Sequence, residues 1–261
     1  MNGCKSDFSV KNYNDLVALT KEIWRARVRN GSYESGRIKF EKSETWFSDK
    51  CNEINLWTYW QGHGLTDFSN VKIMLVGQDW GSEDGQKDAV NRIKEMWEHK
   101  RDHYYKNDIH DRELVNPTER HLCILFSCLG EKYEITKYNP RLFFTNYLLG
   151  YRSGSQTGNM TKKMLGKDKR AFETLVDIVQ PKVIICLGKI VSEMVIGSRI
   201  KGFKNKLDAG VITANYPKNN DIRVYCVGHC GNWGVSNRGG LNDMKKDWEN
   251  IKKDMQQAGL Y

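Results

Sequence analysis

The chain has 261 residues with 41 Lys and Arg against 32 Asp and Glu, a formal net charge of +9, and it is 39% apolar and 11% aromatic. This excludes a disordered tail, since a chain of such length and composition buries roughly 70 to 75% of its unfolded surface. An apolar leader and any run of about 18 apolar residues are both missing from the sequence, so the expectation is a cytoplasmic protein with no membrane partner.

The cationic excess favours a polyanionic partner such as nucleic acid. Seven cysteines, Cys4, Cys51, Cys123, Cys128, Cys186, Cys226 and Cys230, are scattered and never spaced C-x-x-C. That pattern speaks for reduced thiols and against a disulfide framework or a zinc ribbon.

In chain order, Asn14 or Asp15 is placed to cap a helix whose Leu16, Leu19, Ile23 and Trp24 share one face, with Asn30-Gly31 as its stop. Ser32 to Phe68 has no clean period but holds Trp46, Phe47, Trp57, Tyr59 and Trp60. It reads as irregular structure packed by aromatics onto the main body, so residues 1–69 form an extension and 70–261 the principal domain. Val71 to Val76 is a short apolar run ending at Gly77, a buried parallel strand leading into a loop. Gln86 to Tyr105 is a charged helix on which His99 and His103 stand four apart. A metal pair is one reading of them and a solvated helix face the other. The second is favoured because no Glu stands in the HExxH position.

Asn116-Pro117-Thr118-Glu119 starts a helix with a cap, an N1 proline and an N3 carboxylate, and Leu122, Leu125, Phe126 and Leu129 form its buried stripe. Leu142 to Leu149 is a second strand carrying the polar pair Thr145-Asn146. A buried Asn must be bonded to backbone or presented to a ligand. Tyr151 to Arg170 concentrates Arg152, Lys162, Lys163, Lys167, Lys169 and Arg170 against Asp168, which suits either a phosphate-binding loop or a solvated one. The helix Lys169 to Gln180 stops at Pro181, the strand Val183 to Leu187 turns at Gly188 into the helix Ile190 to Ile196, and Val211 to Ala214 is a short accessory strand. Arg223 to Val227 is the last core strand, ending in Gly228-His229, and a closing helix repeats Leu241, Met244, Trp248, Ile251 and Met255 at three and four residues. Strands alternating with helices predict a three-layer α/β/α sandwich around a mainly parallel four-stranded sheet.

Polar residues gather where these strands end: Gly77-Gln78-Asp79-Trp80-Gly81, then Thr145-Asn146, then His229-Cys230-Gly231-Asn232-Trp233-Gly234, with QPKVIICLG between the second and third. In that order they resemble the motifs of the uracil-DNA glycosylase superfamily, over about Asn70 to Ala258. VGQDWG looks like the first motif, FFTNYLLGYR is similar to the strand bearing the base-reading Asn, and VGHCGNWG stands where the family has His-Pro-Ser. The resemblance implies a uracil-DNA glycosylase-like fold and a base-excision glycosylase that hydrolyses the N-glycosidic bond of uracil or a modified pyrimidine in DNA after base flipping. It implies no cofactor, no metal, a DNA partner and a monomer.

By the resemblance Asp79 positions water and offsets the oxocarbenium charge, while His229, on a neighbouring strand end, donates to the departing base oxygen. Asn146 reads the Watson-Crick edge, with Gly77, Gln78, Trp80 and Gly81 completing the pocket. Arg152, Lys162, Lys163, Gly231, Asn232 and Arg238 are assigned to the DNA backbone, Arg238 replacing the lost hydroxyl of His-Pro-Ser. Trp80-Gly81 stand where uracil-specific members have Pro-Tyr, so the barrier to a 5-methyl group is missing, and Asp79 stands where the mismatch-directed branch has Asn. The alternative is a catalytically idle nucleic-acid-binding protein on the same fold. A Rossmann-like nucleotide enzyme is disfavoured because no G-x-G-x-x-G follows the first strand.

Overall fold

Runs of Val, Ile, Leu and Phe without polar alternation are stable as strands only where both faces are covered, and such runs form the centre of this structure. The computed structural model describes residues 10, 12–42, 68–79, 117–135, 139–153 and 158–261. Its elements begin with α1 (Tyr13–Arg27), β1 (Ser32–Ser35), β2 (Ile38–Glu41), β3 (Ile73–Gly77), α2 (Pro117–Leu129), β4 (Leu142–Asn146) and β5 (Tyr151–Arg152). They continue with α3 (Lys162–Leu165), α4 (Lys169–Val179), β6 (Val183–Leu187), α5 (Lys189–Val195), α6 (Phe203–Ala209), β7 (Ile212–Tyr216), β8 (Asn219–Val227), α7 (Asn232–Arg238) and α8 (Leu241–Gln257). The fold is mixed α/β, with a mostly parallel sheet in the order β4-β3-β6-β8-β7.

Side chains alternate across a strand, and here each parity enters its own apolar cluster. Met74, Val76, Phe143, Ile184 and Cys186 pack with Leu16 and Trp24 of α1, Phe172 and Leu175 of α4 and Val191 of α5. Ile73, Leu75, Phe144, Ile185 and Tyr225 pack on the opposite face with Leu125 and Phe126 of α2 and Met244, Trp248 and Ile251 of α8. Helices therefore cover both faces. The four parallel strands β4, β3, β6 and β8 bring their carboxyl ends to one edge, with Gly77 level with Asn146 and Leu187 level with Val227. Ligands of open α/β sheets bind at that edge.

Several sequence expectations are corrected. The sheet has five strands, because Ile212–Tyr216 extends the accessory strand and pairs antiparallel with β8 through the turn at Pro217-Lys218. The strand expected over Leu142 to Leu149 ends at Asn146, after which the Tyr147 and Leu148 N–H groups donate to the carbonyls of Gly77 and Gln78. The cap of α1 is Asn12, whose side chain accepts from the Asp15 N–H. Within the stretch expected to be irregular, β1 and β2 form a hairpin with Ser35 opposite Ile38. Gly36 begins its two-residue turn at φ 62°, a conformation that glycine adopts without steric penalty. The expected loop from Tyr151 to Arg170 is largely ordered: β5 pairs with β2, and α3 and α4 follow. The helix expected over Gln86 to Tyr105, with His99 and His103, lies outside the described residues, as do Trp46, Phe47, Trp57, Tyr59 and Trp60. Among the described residues no helix is long and apolar enough to cross a membrane.

The N-terminal segment is joined to the core by a buried carboxylate as well as by apolar contact. Asp168, 3% exposed, accepts from Trp24 Nε1 at 3.0 Å, Arg27 Nη1 at 2.6 Å and the Leu149 N–H at 3.0 Å. Removing one partner of a buried ionic cluster strands the donors that remain. Asp168→Ala should lower the unfolding free energy by about 3 to 5 kcal/mol, and Trp24→Phe, which deletes one donor, by about 1 kcal/mol for the hydrogen bond. Urea denaturation at neutral pH checks both. Equal, small effects would remove Asp168 from this anchoring role.

Candidate functional site

The edge where β4, β3, β6 and β8 end carries Asn146, Gly77-Gln78-Asp79, Gly188 and His229 in spatial order. Gly77 is buried beside Asn146, and a Cβ on it would fall 2.1 Å from Asn146 Oδ1, so the Asn amide lies across the glycine where any other residue would displace it. Asn146 is half-buried, and its side-chain amide has no hydrogen-bond partner among the described residues. Among the described residues the amide is therefore not bonded to backbone, one of the two states open to a buried Asn.

Asp79 follows β3, and its side chain is 5% exposed. The guanidinium of Arg152 closes on it through Nε to Oδ2 and Nη2 to Oδ1, the latter at 3.0 Å, and Gln78 Nε2 donates to Oδ1 at 2.9 Å. A carboxylate has about four lone-pair directions, and three are filled here. Among the described residues one direction on Oδ2 has no donor. Arg152, itself buried, also donates from Nη1 to the Gly158 carbonyl at 2.9 Å. This corrects its assignment to the DNA backbone: a guanidinium whose charge is spent on Asp79 inside the protein is not available to phosphate.

His229 follows β8, two strands from Asp79, with β6 between them; the strand ends are not neighbours as expected. The strand between ends in Gly188 at φ 94°, where a Cβ would sit 3.7 Å from the His229 Cβ. Asp79 and Arg152 both act electrostatically on the imidazole. Burial is the largest influence and pushes its pKa below the ordinary 6.5; the Asp79 charge opposes this and the Arg152 charge adds to it. The residue is nevertheless exposed to solvent.

The Gly231 N–H donates to His229 Nδ1 at 2.9 Å. Nδ1 therefore carries no proton, and the neutral ring holds its proton on Nε2, a fixed hydrogen-bond donor. The His229 loop is held from α2, where buried His121 Nδ1 lies 2.7 Å from the Cys230 carbonyl and donates to it. His121 was not a candidate from sequence, because it sits inside an apolar helical stripe. Next to the loop, Trp233 is 75% exposed, and among the described residues it is the one large apolar side chain left in solvent.

The remaining candidates separate by partner. Gly231 is half-buried and Asn232 exposed at the start of α7, both open to a ligand. Arg238 is corrected: it is buried, bound to Asp247 through Nε at 2.7 Å and Nη2 at 2.9 Å and to Asp208 through Nη1 at 2.6 Å, and it ties α7 to α8 and α6. Lys162 is exposed but pairs with Glu193 at 2.6 Å, whereas Lys163 is exposed and free of any such pair among the described residues. Trp80 and Gly81 lie outside the described residues. Among the described residues five cysteines are free thiols, and burial pushes Cys230, in the His229 loop, up to about 12, so it remains protonated. No group of three potential metal ligands occurs among the described residues. No family model and no curated protein matches the chain.

The charges around His229 fix the sign of two measurable shifts. Asp79→Asn removes a charge that raises the imidazole pKa, so His229 should titrate still lower; Arg152→Gln removes one that lowers it, so His229 should titrate higher. NMR titration of the imidazole resonances reads both. Unmoved values would mean that the two strand ends do not act on each other.

Proposed function

We propose that the chain is a base-excision glycosylase of the uracil-DNA glycosylase type, with that superfamily's three-layer fold, acting on uracil or a modified pyrimidine in DNA. The observation that carries the reading is the neutral His229, its Nδ1 filled by the Gly231 N–H, on the same sheet edge as the Asp79 carboxylate and an Asn146 amide without a partner among the described residues. In the proposed reaction a water oxygen bonds to C1′ and the C1′–N bond electrons leave with the base. The water's proton ends on the base nitrogen.

Each residue meets one demand of that step. His229 donates from Nε2 to the base carbonyl as negative charge grows there, and a neutral imidazole does so without giving up its proton. Asp79 offsets the positive sugar, and its free Oδ2 direction orients the water. Asn146 pairs with the base edge, rejecting cytosine through the polar groups a mismatch leaves buried. The exposed Trp233, four residues after His229, offers a flat surface on which a DNA base stacks.

A specific observation favours a second reading, a nucleic-acid-binding protein without activity: Arg152 occupies both Asp79 oxygens. One assay separates the two. Oligonucleotides holding uracil, 5-hydroxymethyluracil or thymine are incubated with the protein and abasic sites are cleaved with alkali. The glycosylase reading expects excision, reduced about 10² to 10⁴-fold by Asp79→Asn and by His229→Ala. Trp233→Ala should weaken DNA binding by about 1 to 3 kcal/mol, as loss of one stacked base does. Binding without excision of any base supports the inactive reading, and full rates in both site variants would remove Asp79 and His229 from the chemistry.

A further inference from the structure

A recess of about 630 Å³ opens between the β1–β2 turn and the segment leading from Asn159 into α3. That volume suits a small organic ligand. Three cations reach it from two directions, Arg37 from the turn and Lys163 and Lys167 from α3 and the 3-10 turn after it, against the single carboxylate of Glu34. Neighbouring cations are consumed by the fold: Lys162 is paired with Glu193 and Arg27 with Asp168, each at 2.6 Å. Arg37, Lys163 and Lys167 are exposed and enter no ion pair among the described residues.

The recess is also shaped by specific contacts. The Lys167 ammonium is held 4.3 Å from the centre of the Tyr33 ring, which fixes it against the hairpin. Burial and then the Arg27 charge push the Lys167 pKa down, a repulsion that a bound anion relieves. Thr161 Oγ1 accepts the Met164 N–H as the cap of α3, leaving the hydroxyl proton free to be donated. Met160 and Met164 supply apolar lining.

We propose that this recess binds a phosphate ester, its phosphate held by Arg37, Lys163, Lys167 and the Thr161 hydroxyl and its organic part lying on Met160 and Met164. The site deepens the DNA reading and rests on it only for the source of the phosphate: the DNA backbone supplies this chemistry, and so does free phosphate. The recess adjoins the candidate active site along the chain, because Gly158, whose carbonyl holds Arg152, precedes Asn159 in its wall.

The test uses the full chain with two probes, a short deoxyadenosine oligonucleotide, which contains no base the proposed enzyme would excise, and inorganic phosphate. Arg37→Ala with Lys163→Ala should weaken oligonucleotide binding about 10-fold at low salt and reduce the slope of log affinity against log salt by about 1.4, the single-strand value for two phosphate contacts. Lys246→Ala with Lys253→Ala removes the same charge from α8 and should change affinity less than about 2-fold, as loss of diffuse charge does at moderate salt. Arg37→Lys with Lys163→Arg should restore binding. Calorimetric titration with inorganic phosphate then separates the sources: binding of phosphate that the Arg37/Lys163 variant loses supports a site for free phosphate, and variant-dependent binding of the oligonucleotide alone supports the backbone. Equal weakening by both alanine pairs, or no variant dependence with either probe, overturns the proposal. Excision plays no part in these readouts, so an inactive protein with an intact recess and an active one without it are distinguishable.

Discussion

The guanidinium of Arg152 closes on the Asp79 carboxylate from a different sheet, and the candidate site depends on that contact. Asp79 ends β3 in the central sheet, whereas Arg152 is on β5, held beside β2 of the N-terminal hairpin. Both side chains are almost fully buried. Breaking such a pair by removing one partner costs roughly 3 to 5 kcal/mol, because the other is left as a desolvated charge. Pairing of β5 with β2 thus places the guanidinium that meets Asp79 beside the N-terminal hairpin.

A second buried carboxylate repeats the arrangement. Asp168 gathers the indole of Trp24, the guanidinium of Arg27 and the Leu149 N–H, and so joins α1 to the chain after β4. Trp24 and Phe40 lie in the same apolar cluster as Val76 and Ile184 of the sheet. The net charge is accordingly not a uniform surface property. Arg27, Arg152 and Arg238 are spent on internal carboxylates, each giving orientation to an element, while Arg37, Lys163 and Lys167 stay at the surface. Position within the fold decides which cations face solvent.

The His229 loop shows how a side chain acquires its chemical state from its backbone. The Gly231 N–H selects the tautomer, the His121 ring holds the Cys230 carbonyl, and the Asp79 and Arg152 charges act on the imidazole. The Asp79 and Arg152 charges oppose each other there, and burial is the largest influence, pushing the ring toward its neutral form.

Much of the core was legible in the sequence because burial on both faces demands continuous apolar runs. Val71 to Val76, Val183 to Leu187 and Arg223 to Val227 each overlap a strand of the parallel sheet, β8 reaching back to Asn219, and the three-and-four spacing of Leu241 to Met255 marks α8. The strand-end residues Asp79, Asn146 and His229 were legible for the same reason, since a polar residue closing an apolar run stands at the sheet edge. The hairpin was missed although Tyr33, Ile38 and Phe40 alternate around Ser35-Gly36-Arg37, because two four-residue strands make a weak period. What the sequence by itself determined is which segments are buried and which polar groups they carry to the edge. Pairing across distance was decided only by tertiary structure: 73 residues separate Arg152 from Asp79, 109 separate His121 from Cys230, and 9 separate Arg238 from Asp247 on the next helix. Local composition marks Arg152 and Arg238 as cations of basic stretches, but the charge a guanidinium meets is set by the fold that surrounds it, and no local pattern encodes that.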